Sequence, residues 1–322
     1  MIGTDARSGQ GTVELPLKRG RHSGWGKALR RHYWLYLMVL PTVVYFTLFA
    51  YLPMGGVVIA FKRFNPFVGI LKSPWVGFAH FTRFFSSIYF GRLVRNTVVL
   101  NLYNLAVGFP APIILALLLN EVKRPWFKRL VQSITYLPYF ISTVVITGII
   151  INFLSPTVGV VNQIIRALGA EPIEFLNQPQ WFRHVYVWTD VWQFVGWGSI
   201  IYLAALSGID PTLYESAEID GAGRLAKVWH ISLPGILPTI MVILLLSLGY
   251  MLSIGFEKVF LLYNPNTYVT ADVISTYVFR TGLQGAQYDF GTAVGLFNSV
   301  VNLILLATFN GIARRLRQES LW

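Results

Sequence analysis

Six long apolar runs, separated by shorter polar segments, dominate the pattern of the chain. Each run is long enough to cross a bilayer as a helix, which takes about 20 apolar residues. Two runs contain helix breakers, Pro138 in the third and Gly249 and Gly255 in the fifth, and spanning helices tolerate these where neighbours satisfy the freed backbone groups. The pattern predicts an all-α polytopic membrane protein with six transmembrane helices, near residues 34–60, 96–119, 130–153, 185–206, 236–262 and 290–312.

The composition supports this prediction and excludes several other classes. Of the 322 residues, 54% are hydrophobic and 12% are charged, and this charged share is about half of that in soluble domains. The formal net charge is +12, but the basic residues cluster at the ends of apolar runs, which is typical of membrane edges rather than of nucleic-acid binding. The chain has no cysteine, and its scattered histidines have no ligand-like spacing. We therefore expect no metal site and no cysteine chemistry.

The basic residues of the loops also predict the orientation in the membrane. The N-terminal tail carries seven Lys or Arg residues against two acids, and the loop Glu121 to Arg129 carries four against one. These counts place both termini in the cytoplasm. The first loop, 61–95, has six bases and no acid, but the alternation of six spans still places it outside. The first apolar run is too long for a secretory signal and lacks a cleavage site, so it is predicted to stay as a span.

A polar segment between the fourth and fifth runs, residues 207–235, carries unusually dense local signals; we call it the coupling hairpin. Asp210 and Pro211 predict a helix start, with Asp as N-cap and Pro at the first helical position. Gly221 suits the left-handed residue that ends a helix, which gives a first helix over 211–220. The second helix is predicted from an apolar stripe at 222, 225, 226 and 229, with Pro234 ending it and Pro238 opening the fifth span. A mere connector needs none of these features, so we expect the segment to dock into a partner's groove.

The residues of the coupling hairpin resemble the "EAA" loop of ABC-importer permeases. Glu215-Ser216-Ala217 is followed by Asp220-Gly221-Ala222, then by Ile231-x-Leu233-Pro234 and Pro238, with Ser216 where the family has Ala. The resemblance covers about residues 90–312. Further agreement comes from Asn96-Thr97, Leu137-Pro138, Gly159-x-x-Asn162 and Trp192.

This resemblance implies a type I ABC importer permease fold in a bacterial-type inner membrane. In such importers two permeases pair, two cytoplasmic ATPase subunits bind below them, and an extracytoplasmic solute-binding protein delivers the substrate. The chain contains no P-loop sequence, so it is expected to be no enzyme, and ATP and Mg are expected in the partner ATPases. The residues that the resemblance assigns to ATPase coupling are Glu215, Ser216, Ala217, Asp220, Gly221, Ala222 and Leu225.

A second resemblance concerns the substrate. Phe256-Glu257-Lys258-Val259, Tyr263-Asn264-Pro265 and the stretch from Asp272 to Val278 resemble the maltose-permease-like branch for sugars and oligosaccharides. The implied organisation is a cytoplasmic tail (1–33), a first span with its outer loop (34–89), the permease core with the coupling hairpin (90–312) and a cytoplasmic tail (313–322).

Polar and aromatic residues inside the last three spans are candidates for the substrate path, because intramembrane polar groups are costly and often functional. Aromatic faces with amide and carboxylate groups suit sugars. Asp190, Glu257 and Lys258 fall at similar depth, and we predict an interhelical ion pair between Asp190 and Lys258. A purely structural role for that pair, and an interfacial role for Trp188, are the alternatives. The candidates are Trp188, Asp190, Trp192, Gln193, Tyr250, Glu257, Lys258 and Asn298.

Two other functions stay open at this stage. An ABC permease for amino acids, phosphate or metals would share the coupling hairpin and differ only in the flanking region 256–278. A secondary transporter or channel would need its own energy coupling, usually with inverted repeats and broken helices at matching positions, and no such match is visible. An intramembrane enzyme is disfavoured because no catalytic spacing is recognisable.

Overall fold

The computed structural model describes residues 32–249 and 255–315, and these form helices joined by short connections. The α-helices are α1 (Tyr33–Phe46), α2 (Leu52–Met54), α3 (Gly69–Lys72), α4 (Ala79–Phe85), α5 (Phe90–Gly108), α6 (Pro110–Asn120), α7 (Pro125–Tyr136), α8 (Thr143–Leu154), α9 (Val160–Ala167), α10 (Pro179–Ser207), α11 (Pro211–Ile219), α12 (Arg224–Lys227), α13 (Leu233–Gly249), α14 (Phe256–Leu262), α15 (Tyr268–Ala271), α16 (Ile274–Val278) and α17 (Tyr288–Arg315). The shorter turns are π-helical at Thr47–Tyr51, Val228–Ser232 and Phe279–Gln284, and 3₁₀-helical at Gly55–Phe61, Leu137–Phe140 and Pro265–Thr267.

The all-α, multi-span architecture predicted from the sequence is confirmed. Within the described residues, four helices are long and apolar enough to cross a membrane, and two bent helix pairs raise the number to as many as six. Among the described residues, β-structure is limited to one isolated bridge between Lys62 and Trp75. The four helices are Tyr33–Phe61, Phe90–Asn120, Arg224–Gly249 and Tyr288–Ile312.

The chain divides into two compact units, residues 1–56 and 57–322. In the first unit, α1 and α2 expose nearly all of their apolar side chains, including Trp34, Met38 and Leu52. Exposed apolar side chains along a helix are the expected form of a lipid-facing span. Most of the predicted N-terminal tail, and the end of the C-terminal tail, lie outside the described residues.

The third predicted span, 130–153, is not one straight helix. Its two halves, Pro125–Phe140 and Thr143–Leu154, meet at an angle of 104°. Pro138 lies just before the break, in the 3₁₀ turn Leu137–Phe140, where it offers no backbone N–H and hinders the preceding turn. Ser142 then starts a new helix, because its side chain accepts a hydrogen bond from the N–H of Val145 at 3.4 Å. A breaker that the sequence predicts to be tolerated within a span therefore divides it.

The prediction that Pro234 ends the second hairpin helix is wrong. From Arg224 to Gly249 the chain forms one helix of 26 residues. The π turn Val228–Ser232 precedes the proline, and the N–H of Leu233 donates to the carbonyl of Val228, five residues back. This wider turn shifts the hydrogen-bond ladder by one residue, so that the helix continues past the missing N–H of Pro234. The second arm of the coupling hairpin and the fifth span are thus a single rod.

Helix α10 is the central element of the second unit. Its buried residues belong to two apolar clusters, with Val187 packed against Leu100 and Val259 in one and Tyr202 packed against Ile236 in the other. At Gly196 the backbone of α7 comes so close that an added Cβ would overlap Thr135, which explains the need for glycine there. With 29 residues, α10 is about 44 Å long, and the coupling hairpin follows its C-terminal end.

Candidate coupling hairpin and transport path

The first helix of the coupling hairpin begins and turns as predicted. The N–H of Thr212 donates to Oδ1 of Asp210 at 2.9 Å, and this hydrogen bond lowers the pKa of the Asp210 carboxyl. The helix ends at Ile219, one residue before the predicted end. Gly221 follows with a φ of +79°, and the N–H of Ala222 returns to the carbonyl of Ala217 at 2.8 Å. This geometry is the glycine-dependent helix end that the sequence predicts.

Two side-chain contacts hold the arms of the coupling hairpin together. Nζ of Lys227 lies 2.5 Å from Oε1 of Glu218, and the hydroxyls of Tyr214 and Ser232 are 2.9 Å apart. The hydrogen bond and the charge of Lys227 lower the pKa of Glu218. Because Glu218 is exposed, the ion pair contributes little energy alone. The pair fixes the angle between the arms more than it stabilises the protein.

The outer face of the coupling hairpin is exposed and partly apolar. No residue of α11 is buried. Ile219 is 87% exposed, and Leu225 and Trp229 also face outward. Exposed apolar groups on a polar segment are typical of an interaction site. Of the seven residues predicted for coupling, the structure exposes Glu215, Ser216, Asp220, Gly221 and Leu225 and half-buries Ala217 and Ala222. Sequence reasoning missed Ile219, whose exposure depends on how α11 packs.

The predicted ion pair between the fourth and fifth spans is present. Nζ of Lys258 lies 3.2 Å from Oδ1 of Asp190, and Nδ2 of Asn104 donates to Oδ2 of Asp190 at 3.2 Å. Lys258 is 4% exposed, and its Nζ also lies 5.3 Å from the centroid of the Tyr186 ring. A buried charge needs such partners, because its desolvation costs several kcal/mol. Lys258 on α14 therefore neutralises the carboxylate of Asp190, and Asn104 on α5 satisfies its second oxygen.

A cavity of about 360 Å³ opens beside Asp190. Its walls come from α5, α6, α10 and α13, and they are largely apolar. Such a lining with a few convergent polar groups is typical of ligand sites. The polar residues are Asn101, Asn104, Asp190 and Ser247. Sequence reasoning missed Asn101 and Asn104, although the rule that selected Asp190 applies to both.

Among the predicted path residues that the structure describes, only Asp190 lines this cavity. Trp188 and Trp192 are exposed, one helical turn apart on the same side of α10, and Glu257 is exposed. Gln193 is buried, and its Oε1 has no hydrogen-bond partner among the described residues; Oδ1 of Asn298 is in the same situation. Tyr250 lies outside the described residues.

A network of buried polar side chains lies at the end of the helices opposite the coupling hairpin; we call Asn96, Thr97, Asn162, Asp272 and Thr276 the polar cap. Nδ2 of Asn96 donates to the carbonyls of Val269 and Asp272 at 3.0 and 3.1 Å. The N–H of Ile274 donates to Oγ1 of Thr97 at 3.1 Å. Asn162 binds backbone groups on both sides of α9, including the N–H of Ile173 at 2.8 Å. These hydrogen bonds fix the backbone of the segments that connect the helices at this end.

Sequence comparison identifies related proteins over almost the whole chain. The family described as binding-protein-dependent transport system inner membrane component matches residues 108–318. Protein LplB of Bacillus subtilis (strain 168) is 45% identical over 306 residues, which are 95% of this chain and 96% of that protein. The polygalacturonan/rhamnogalacturonan transport system permease protein YteP of the same organism is 46% identical over 296 residues, 92% of each chain.

Solved structures show the same fold. A chain of a bacterial ABC transporter involved in the import of the acidic polysaccharide alginate matches with a TM-score of 0.85 and 47% identity, over 90% of this chain and 98% of that chain. A chain of a bacterial alginate ABC transporter in complex with an alginate pentasaccharide-bound periplasmic protein matches with a TM-score of 0.86 and 45% identity, over 92% and 99%.

Proposed function

The chain belongs to the family of binding-protein-dependent transport system inner membrane components, and we propose that it couples ATP hydrolysis in partner subunits to the import of an acidic oligosaccharide. As a family member it is a multi-pass permease subunit of an ABC importer in the inner membrane. Two finer points belong to the proposal: the chemical class of the cargo, and the route by which the coupling hairpin acts on the transport path.

The cargo proposal comes from the relatives. YteP is named for polygalacturonan and rhamnogalacturonan, and the structural relatives import alginate, an acidic polysaccharide. These polymers contain sugars that carry a carboxylate. We infer that this chain translocates oligosaccharides with uronate units. Its cavity of about 360 Å³ falls within the range of about 300–1,000 Å³ typical of ligand sites.

One observation carries the coupling proposal: the second arm of the coupling hairpin is continuous with a helix that lines the cavity, and the first arm joins another such helix through a 73° bend. The first arm follows α10, which supplies Asp190 to the cavity. The second arm is the start of the continuous helix Arg224–Gly249, which supplies Ile243 and Ser247. A displacement of the hairpin therefore reaches the cavity through rigid helices, as alternating access requires.

The partners follow from the family and from the exposed hairpin. Two ATPase subunits, which hold ATP and Mg, receive the coupling hairpin in a groove through Ile219, Leu225 and the surrounding small residues. A second permease completes the path, and an extracytoplasmic solute-binding protein delivers the oligosaccharide. With both termini in the cytoplasm, the coupling hairpin faces the ATPases and the polar cap faces the binding protein.

The remaining candidate path residues have separate places in this proposal. Asp190 and Lys258 form a neutral pair at the cavity that keeps α10 and α14 together. Trp188 and Trp192 are exposed away from the cavity, so we place them at the path between the two permeases. Gln193, Tyr250, Glu257 and Asn298 are kept as candidate path residues.

Reconstitution tests the proposal directly. We expect the chain to co-purify from detergent with a second permease and an ATPase. In proteoliposomes with the binding protein, this complex should take up labelled tri-galacturonate only when ATP is present on the ATPase side. A lone chain that transports, or uptake driven by an ion gradient without ATP, would contradict the proposal and favour a secondary transporter.

A further inference from the structure

Four arginines lie together at the end of the helices opposite the coupling hairpin: Arg92 and Arg95 on α5, Arg183 on α10, and Arg280 in the turn after α16. Arg183 precedes the end of α10 by 24 residues, which corresponds to about 36 Å along the helix. Arg95 is close enough to Arg183 for the two charges to repel each other. A cluster of like charges is unfavourable unless an anion compensates it.

The carboxylate of Asp272 satisfies one of these arginines in full. The guanidinium of Arg280 donates two hydrogen bonds to it, from Nη1 to Oδ1 at 3.2 Å and from Nη2 to Oδ2 at 2.7 Å. Oγ1 of Thr276 donates to Oδ1 at 3.0 Å. The side chain of Asp272 is fully buried, and its oxygens accept these hydrogen bonds from Arg280 and Thr276. Bidentate pairs of this kind are strong and specific.

Three arginines remain without full compensation. Arg92 reaches Oδ2 of Asp272 only at 3.4 Å, and Arg183 donates through Nη2 to the neutral amide of Asn96 at 2.9 Å. Within the described ranges, no carboxylate lies within 4.0 Å of Arg95 or Arg183. The Nε atoms of Arg92 and Arg183 are buried and have no hydrogen-bond partner there. Four arginines against one aspartate leave a local charge of +3.

A row of polar contacts between α5 and α10, which we call the seam, extends from this cluster toward the cavity. Arg183 precedes Asp190 by seven residues, two helical turns, so both lie on the same side of α10. Along the seam between α5 and α10, Arg183 pairs with Asn96, His184 with the hydroxyl of Tyr103 at 2.8 Å, and Asp190 with Asn104. The arginines therefore lie at the end of this row of polar contacts that is farther from the cavity.

We infer that Arg92, Arg95 and Arg183 form an entry site for the carboxylate groups of the transported oligosaccharide. This inference rests on the proposed function and adds a recognition site for its charged groups. The planar fork of a guanidinium matches a carboxylate with two parallel hydrogen bonds. The site selects anionic sugars at this end of the helices and releases them toward Asp190, whose charge Lys258 has already neutralised.

The contacts favour a carboxylated sugar over an acidic surface of the binding protein. A protein surface would engage the exposed Arg95, but Arg183 is only partly exposed and lies against the buried Asn96. The half-exposed ring of Tyr89, 5.2 Å from Cζ of Arg92, adds an aromatic face of the kind that sugar rings stack on.

The test measures binding of tri-galacturonate to the assembled transporter in nanodiscs without the binding protein, by titration calorimetry. Wild type is compared with Arg95→Gln, Arg183→Gln and Arg183→Lys, and with Arg63→Gln, an exposed arginine on the first loop outside the cluster. We expect Arg95→Gln and Arg183→Gln each to weaken binding about tenfold, which corresponds to one charged hydrogen-bonded contact. Arg183→Lys keeps the charge and should recover part of the loss, and Arg63→Gln should match wild type.

The fully methyl-esterified trimer separates the alternatives. We expect it to bind wild type and the Arg95→Gln variant equally, because it carries no carboxylate. If the cluster variants bind tri-galacturonate as tightly as wild type, the entry site is refuted, while ATP-driven uptake by the same complex would leave the proposed function standing. If the variants instead weaken only the binding protein's stimulation of the ATPase, equally with both trimers, the cluster contacts the binding protein and the inference is wrong. Absence of uptake of every saccharide would overturn the proposed function and this site with it.

Discussion

The coupling hairpin and the polar cap are polar regions at opposite ends of the same helices, and they differ in how far their side chains are buried. In the polar cap, Asp272 and Asn162 are fully buried, and their polar groups bind other parts of the chain. In the coupling hairpin, no residue of α11 is buried, and Ile219 is 87% exposed. A segment whose polar groups are satisfied internally supports the fold, whereas one that exposes apolar groups needs a partner. The two regions therefore predict different consequences of substitution.

The largest effect is expected for Asp272→Ala. The substitution leaves Arg280 and Thr276 without their shared acceptor, and breaking a buried ion pair costs about 3–5 kcal/mol. We expect a loss of that size in the free energy of unfolding, and little folded protein in the membrane. Thermal unfolding of purified complex and the yield of inserted chain measure it.

The matched control is Asp220→Ala in the coupling hairpin. Asp220 is exposed, so its removal should change stability by less than about 0.5 kcal/mol. Equal destabilisation by the two substitutions would contradict the claim that the polar cap, and not the coupling hairpin, supports the fold.

A smaller effect is expected at the pair that lies between the two regions. Asp190→Asn leaves Nζ of Lys258 buried without its counter-charge, which costs about 3 kcal/mol. Lys258→Gln leaves the carboxylate of Asp190 without its counter-charge, and we expect a loss of similar size. The double exchange Asp190→Lys with Lys258→Asp should restore most of the stability and transport, since the attraction is kept. If the exchanged variant fails to recover while every variant inserts normally, the attraction between the two charges is not the reason these residues are needed.

The next effect concerns the exposed face of the coupling hairpin. Ile219→Ser removes apolar surface that we expect to be buried in the ATPase groove, and it should weaken binding of the ATPase subunit about tenfold without lowering stability. Ile88→Ser is the control, because Ile88 is equally exposed, at 87%, outside the hairpin. Pull-down of the ATPase at graded concentrations measures both. If Ile88→Ser weakens binding of the ATPase subunit by the same amount, the proposal that Ile219 lies in the ATPase groove is wrong.

The smallest effect is expected from pH. Lys227 lowers the pKa of Glu218, first through its hydrogen bond and then through its charge. A lowered folded-state pKa contributes stability above the unfolded value, and that stability is lost as the pH falls through the folded-state pKa. Hydrogen exchange of the hairpin amides should therefore quicken slightly as the pH falls below the ordinary glutamate value of 4.5, after correction for the intrinsic exchange rate. In Lys227→Gln the same pH change should have no additional effect.

The coupling hairpin could be predicted from sequence in detail because its features are local. The cap at Asp210 and the turn at Gly221 depend on neighbours within four residues, and both are found as predicted. The end of the second helix could not be predicted, because the π turn before Pro234 changes the hydrogen-bond ladder in a way that residue propensities do not encode. The 104° angle at the break after Phe140 was likewise not predicted, because Pro138 and Ser142 mark a helix end and a helix start but do not set the angle between the two helices.

The transport path shows a similar division. The depth of the charges in two spans was enough to predict the pair of Asp190 and Lys258. The cavity was not predictable, because it forms where Asn104 and Asp190 meet across 86 residues of sequence. Asn96 and Asn162, which support the family resemblance, prove to hold the backbone in the polar cap.

The most direct test of the account compares two glycines with the same backbone conformation. Gly221 in the coupling hairpin and Gly169 in the connection after α9 have φ values of +79° and +81°, and an added Cβ would meet no atom within 4 Å at either. Valine at each position should strain the backbone by a similar amount, about 1–2 kcal/mol. Oligosaccharide uptake and ATPase stimulation are measured together in proteoliposomes. We expect Gly221→Val to lower both at least tenfold and Gly169→Val to stay near wild type; equal activity of the two variants would contradict a coupling role of the hairpin.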